Sequence, residues 1–295
     1  MIRLALRVRR EDAELVLAEL LELAPSGVEE VSLGESVEYA VYGAPGELPS
    51  LPDLKAAAGA ALVDISTTET ADDWQERWRR FHEPVLIQAP HLAAGPERRV
   101  PALYVRPPWE PPAAGREGEL EQIVIEPGQA FGTGAHATTR QCLELLLLVA
   151  HEDPRLGALV DLGTGSGVLA IAAARLGFQP VVAVDSDRES IAAASANAAA
   201  NGVRLELRRA DVSSYVSSWG EASLDWKPPV VLANLLRPAL LELAHAMPAA
   251  PRHLLAGGLL AAQADEVAGA FERLGLRERD RREGGEWVAL WLSVP

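Results

Sequence analysis

The chain has 295 residues, 48% of them hydrophobic, and a formal charge of −15, which is enough length and apolar content for more than one packed domain. Its acidity excludes the overall basic footprint that holds nucleic-acid backbones and favours encounter with a basic partner instead. A single cysteine, Cys142, excludes a disulfide framework, and the longest apolar stretch, Leu143–Ala150, is interrupted by Glu144 and too short to span a bilayer.

From the first residues onward, Ile2–Val8 alternates as a strand and Asp12–Leu23 repeats leucine at helical spacing. Val28–Leu33 and Val37–Tyr42 read as a strand pair turning at Gly34, followed by a helix over Leu54–Ala61 and a strand over Ala61–Ser66. This βαββαβ order predicts a small ferredoxin-like α+β domain over residues 1–70. In Asp73–Phe81, the residues Trp74, Trp78 and Phe81 fall on one helical face, which suits packing. Pro90–Gly118 is rich in Pro, Gly and Ala and reads as loop, so 71–118 is expected to be a linker helix and loop.

The chemistry-bearing motifs begin with Glu126–Arg140, a glycine-rich loop running into a helix that Thr138 or Thr139 is placed to cap. No Lys follows its glycines, so it is not a phosphate-binding P-loop. Next, Ala158–Leu162 reads as a buried strand, Gly163, Gly165 and Gly167 as a turn, and Val168–Leu176 as a helix. Strand, glycine turn and helix together predict a cofactor cradle, in which glycines admit a ligand to the backbone and the helix start offers unpaired N–H groups. The dinucleotide fingerprint needs a third glycine where Val168 stands, so Asp161-x-Gly-x-Gly-x-Gly points elsewhere. A glycine-rich turn without a ligand is the plain alternative. The strand Pro180–Val184 ends at Asp185, about 20 residues beyond the glycines, where a carboxylate can accept both ribose hydroxyls. Asp187 or Ser186 suits the cap of the following helix, Ile191–Asn201.

Further strands are expected over Arg204–Arg209, Val230–Ala233 and Leu254–Ala261, with helices over Pro238–Ala246 and Ala264–Leu274. A terminal strand pair follows near Arg277–Arg281 and Trp287–Ser293. The alternation implies an α/β fold with a mostly parallel sheet covered on both faces, over residues 119–295. The histidines outside the loop motif are scattered without metal-ligand spacing, and no metal is expected.

Pro127-Gly-x-Ala-Phe-Gly-Thr-Gly-x-His-x-Thr-Thr139 ahead of Asp161-x-Gly-x-Gly-x-Gly167 resembles the ribosomal protein L-eleven methyltransferases (PrmA-type). Asp73–Trp78, Leu103–Trp109, Asn197, Asn201–Gly202, Ala233–Leu236 and Glu286–Trp287 agree in order. The resemblance implies a Rossmann-like methyltransferase sheet with a terminal antiparallel strand, S-adenosyl-L-methionine as cofactor, and methylation of lysine ε-amines and an N-terminal α-amine on a basic large-subunit ribosomal protein. The small N-terminal domain would hold that substrate. By motif position it places cofactor contacts on Thr139, Gly163, Asp185 and Asn234, with Asp161 and Gly165 lining the cradle and Asp211 at the adenine edge. Asn234 would also orient the acceptor amine. His136 is a candidate base or substrate contact, or else a structural histidine bonded to its loop. Departures from the family pattern are Ala135 and Ala137, where Thr and Pro are usual, and Ala256–Gly257–Gly258, where a Ser-Gly pair is usual.

Asn234-Leu-Leu-Arg237 lacks the Pro-Pro-aromatic run with which related enzymes grip a planar amide or base. Another protein, a small molecule or RNA is the alternative target. An NAD-linked oxidoreductase is disfavoured by Val168 and the terminal strand pair. A cytoplasmic monomer, without membrane association or direct nucleic-acid binding, is expected.

Overall fold

The computed structural model describes residues 2–23, 28–43, 48–49, 51–69, 82–88, 100–113, 115, 118–127, 134, 136–153, 156–220 and 229–295. The chain divides into two compact units, Met1–Phe81 and His82–Pro295. The expected packing face of Trp74, Trp78 and Phe81 lies outside the described residues.

The first unit runs β1 (Ile2–Arg9), α1 (Ala13–Leu23), β2 (Glu29–Leu33), β3 (Ser36–Gly43), α2 (Leu51–Ala58) and β4 (Leu62–Glu69). Its sheet order is β2-β3-β1-β4, antiparallel throughout, which is the ferredoxin-like arrangement. Alternation on β1 explains the sidedness. Leu4, Leu6 and Val8 are buried in one cluster with Val16 and Leu20 of α1 and Leu54 of α2. Arg3 and Arg7, at the intervening positions, both bond Glu38, at 2.7 and 3.2 Å.

The second unit opens with β5 (Val85–Ile87), β6 (Ala102–Arg106) and β7 (Leu120–Val124), a three-stranded sheet. The loop expected over 90–118 therefore contains a strand. Leu103 and Val105 of β6 are buried, with Val85, Ile87 and Ile123, in the same apolar cluster as the following helices. Dense Pro and Gly on either side of a five-residue strand hid its alternation.

Next come α3 (Ala137–Glu152), β8 (Leu159–Leu162), α4 (Val168–Leu176), β9 (Val181–Asp185), α5 (Arg188–Ala200), β10 (Glu206–Arg209), α6 (Val212–Ser217), β11 (Val230–Asn234), α7 (Arg237–Ala246), β12 (His253–Leu260), α8 (Ala264–Glu272), β13 (Arg277–Gly284) and β14 (Trp287–Ser293). They build a seven-stranded sheet of order β10-β9-β8-β11-β12-β14-β13. Strands β10 to β12 are parallel, and β14 lies antiparallel between β12 and β13. The apolar runs divide residue by residue between two cores. Leu159, Val181, Ala183, Val230 and Leu232 face α3 and α4, whereas Val160, Leu162, Val182, Val184, Val231 and Ala233 face the other layer with Leu240, Leu243 and Phe271. Both faces are covered, so these strands carry no polar alternation. Strand order reverses between β8 and β11, and the crevice outside the carboxyl ends at such a reversal is where open α/β sheets bind ligands.

Candidate cofactor and acceptor site

Three strand tips meet at that reversal. β8 leads into the glycine turn, β9 ends at Asp185, and β11 ends at Asn234. The turn differs in one respect from its sequence reading, because the amides of Gly163, Thr164, Gly165, Gly167 and Val168 are already paired. Gly163 N and Thr164 N both donate to Val184 O, at 2.9 and 3.0 Å, and Gly167 N donates to Thr164 O at 2.9 Å. Gly165 N donates to Asp185 Oδ2 at 2.9 Å and Val168 N to Ser166 Oγ at 3.3 Å. A pyrophosphate needs such donors free. This turn has spent them on the neighbouring strand and on itself.

The glycines are also explained by protein contacts. A Cβ at Gly163, whose φ is +73°, would lie 2.4 Å from Leu235 Cδ2, and one at Gly167 would lie 3.0 Å from the Ala194 backbone of α5. The first glycine admits the chain leaving β11, and the third admits helix α5. Leu235 is fixed from behind as well, since a Cβ at Gly258 (φ +82°) would lie 2.4 Å from Leu235 O.

What the site offers a ligand is mainly acceptors. Asp185 takes Gly165 N on Oδ2 and Asp187 N on Oδ1, the latter at 3.0 Å. A carboxylate has about four lone-pair sites, so two remain for hydroxyl donors. Asn234 Nδ2 donates to Thr139 Oγ1 at 3.4 Å, while its buried Oδ1 has no hydrogen-bond partner among the described residues. Thr139 is fully buried on the first turn of α3. Asp161 is also fully buried and accepts from Thr164 Oγ1 at 2.6 Å. Burial pushes its carboxyl up to about 7, with the Thr164 hydroxyl and the Ala170 backbone opposing and the Asp185 charge adding to the rise. Thr139, Gly163, Gly165, Asp161, Asp185 and Asn234 are thus gathered at neighbouring tips.

Two expected residues have local duties. Asp211, after β10, caps α6 by accepting from Ser214 N at 2.9 Å, and that amide holds its carboxyl below the ordinary range. The cap of α3 is His136, where Thr138 or Thr139 was expected. Its Nδ1 accepts from Thr138 N at 3.3 Å and lies 2.8 Å from Thr138 Oγ1. Its ring stands edge-on to Trp287 at 5.1 Å, and burial lowers its pKa, which favours the neutral imidazole. Of the two caps proposed for α5, Asp187 is the one used, on Ser190 N at 2.9 Å.

Sequence reasoning gave Asn197, Asn201, Leu235 and Cys142 no part in the site. Asn197 accepts from Glu126 N at 3.0 Å and donates to Ser166 O at 2.8 Å, tying the strand before the loop motif to the glycine turn. Asn201 bonds both Val124 N and Val124 O, at 2.8 and 2.6 Å. An asparagine on the buried face of the alanine-rich α5, Asn197, and a second at its C-cap, Asn201, were the available signal. Leu235 enters only as part of the Ala233–Leu236 match, with no role.

Residues 53–294 match the profile of the family described as "Ribosomal protein L11 methyltransferase (PrmA)". Similar proteins include the ribosomal protein L11 methyltransferase of Pelotomaculum thermopropionicum, 40% identical over 79% of this chain and 69% of that one. That of Geobacter sulfurreducens is 36% identical over 81% of this chain and 73% of that one. Among solved structures, the ribosomal protein L11 methylase of Lactobacillus delbrueckii subsp. bulgaricus aligns with a TM-score of 0.54 at 28% identity, over 65% of this chain and 93% of that one.

Proposed function

This chain belongs to the ribosomal protein L11 methyltransferase family, and from that premise we propose that it methylates amino groups of ribosomal protein L11, lysine ε-amines and the N-terminal α-amine. It is an S-adenosylmethionine-dependent methyltransferase. When bound, the cofactor supplies a methyl group on a sulfonium, ready for displacement by a nucleophile.

The observation that carries the reading is the balance of donors and acceptors. Five amides of the turn, those of Gly163, Thr164, Gly165, Gly167 and Val168, are already bonded within the protein, whereas Asp185 keeps lone pairs and Asn234 Oδ1 lacks a partner among the described residues. That suits a nucleoside gripped by its hydroxyls and a cationic centre better than a pyrophosphate. We assign the cofactor to Thr139, Gly163, Asp185 and Asn234, with Asp161 and Gly165 beneath it. Asp211 stands at the adenine edge, its carboxylate steadied by the cap.

The acceptor amine must arrive neutral. For a lysine with an ordinary pKa near 10.4, losing the proton at pH 7 costs about 4–5 kcal/mol. Asn234 Oδ1 accepts from a neutral amine and, being uncharged, gives an ammonium no counter-ion. Asp161, its carboxyl raised to about 7 by burial, adds less negative charge below the site than an ordinary aspartate. Both features favour the reactive form, and alignment against the methyl supplies the rest. His136 serves by fixing the first turn of α3 and so Thr139. The first unit is assigned to holding the substrate protein.

Incubation with methyl-labelled S-adenosylmethionine and either purified ribosomal protein L11 or ribosomal RNA tests this. Label is expected in the protein, on lysine and N-terminal amines by peptide mass spectrometry. Label confined to RNA overturns the assignment.

A further inference from the structure

The tip of β12 holds a second fixed point of the site. Gly257 is the partner of Asn234 in the β11–β12 ladder, and Leu235 N donates to Gly257 O at 3.1 Å. A methyl group added at Gly257 would lie 2.4 Å from Cys142 Sγ and 3.0 Å from Asn234 Oδ1. Optimal non-bonded separations are about 3.5–4.0 Å, so the space above Gly257 is already shared by the sulfur and the carboxamide.

Helix α3 supplies both boundaries of that space. Thr139 and Cys142 are three residues apart, hence on one face of the helix, and both are fully buried. Thr139 Oγ1 accepts Asn234 Nδ2, and Cys142 Sγ closes the floor beside Gly257. The carboxamide torsion of asparagine is intrinsically broad and two-fold. Its orientation must therefore come from these neighbours.

We propose that Gly257 and Cys142 are positioning residues that act through Asn234. A missing side chain and a buried sulfur leave one slot for the carboxamide, with Nδ2 on Thr139 and Oδ1 held as the unpaired acceptor. The inference rests on the part given to Asn234 under the proposed function.

A double-mutant cycle on the full chain tests it, with parent, Gly257→Ala, Asn234→Ala and Asn234→Ala/Gly257→Ala. Each is read by calorimetric affinity for S-adenosylmethionine, by kcat on ribosomal protein L11 and by thermal melting. Assays are run well below every melting temperature. Gly257→Ala is expected to lower affinity and kcat about tenfold in the parent and less than twofold once Asn234 is gone. The same factor in both backgrounds overturns the inference, because glycine 257 then matters without Asn234. If Gly257→Ala does not fold, the cycle is run on Cys142→Ala and Cys142→Ala/Gly257→Ala, which exchanges the sulfur for the methyl, each with and without Asn234→Ala and with the same criterion. A parent that binds cofactor but leaves L11 unlabelled refutes the substrate reading only. The affinity cycle still decides this inference.

Discussion

At the scale of single residues, the site depends on two carboxylates with opposite surroundings. Asp185 holds Gly165 N and Asp187 N while keeping lone pairs for a ligand. Hydrogen bonds to charged groups contribute about 1.5–3 kcal/mol each. Asp185→Ala should therefore weaken S-adenosylmethionine binding at least tenfold by calorimetry, and Asp185→Asn, which keeps one acceptor oxygen, less. Asp161 is raised to about 7 by burial. Its folded pKa lies above the unfolded value near 3.9, so its contribution to stability is complete below that value and is lost as pH rises toward 7. Asp161→Asn should then gain stability relative to the parent at pH 8 compared with pH 4.5, measured by urea unfolding. His136 caps α3 through Nδ1. His136→Ala should cost about 1 kcal/mol of stability in denaturant unfolding, and His136→Asn, a good cap, should recover most of it.

Elements divide into those that build the sheet and those that aim the site. α3 does both. Cys142, Leu143, Leu146 and Leu147 are buried in the core, while Thr139 reaches Asn234 and Gln141 Nε2 donates to Trp287 O at 2.8 Å. Leu143→Ala should cost about 2–5 kcal/mol. At the opposite end of β12 from the site, His253 Nε2 lies 3.4 Å from Asp153, and its Nδ1 accepts from Trp291 Nε1 at 3.2 Å. Burial lowers its pKa, Arg252 and Arg279 add to the fall, and Asp153 opposes it. The neutral form is favoured, so this contribution is complete above about pH 6.5 and is lost as pH falls through the folded value. In His253→Gln the decline of stability with acid should be shallower. Most of this layer was readable, because buried parallel strands and glycine turns write themselves as apolar runs and spaced glycines. What escaped was relational. Leu235 over Gly163, Asn197 on Glu126 and the cap of α3 depend on segments far apart in sequence or on a residue type not favoured for the role. The strand Ala102–Arg106 was lost among prolines.

For the molecule as a whole, two units with separate apolar clusters imply separable duties. Removing residues 1–81 should leave S-adenosylmethionine affinity within about threefold while raising KM for ribosomal protein L11 sharply, if the first unit holds the substrate. A net charge of −15 against a basic protein should make that KM rise with salt as screening shortens to about 8 Å near 0.15 M. Composition announced the acidity, but no single-sequence pattern says which unit meets the substrate. One feature of the sheet reaches beyond binding. β14 is the last strand in chain order, yet it is inserted between β12 and β13 and buries Val288, Leu290, Trp291 and Leu292. Any folding intermediate that lacks β14 would therefore present β12 as an open, sticky edge, and β13, made earlier, has no place in the sheet until β14 fills the gap.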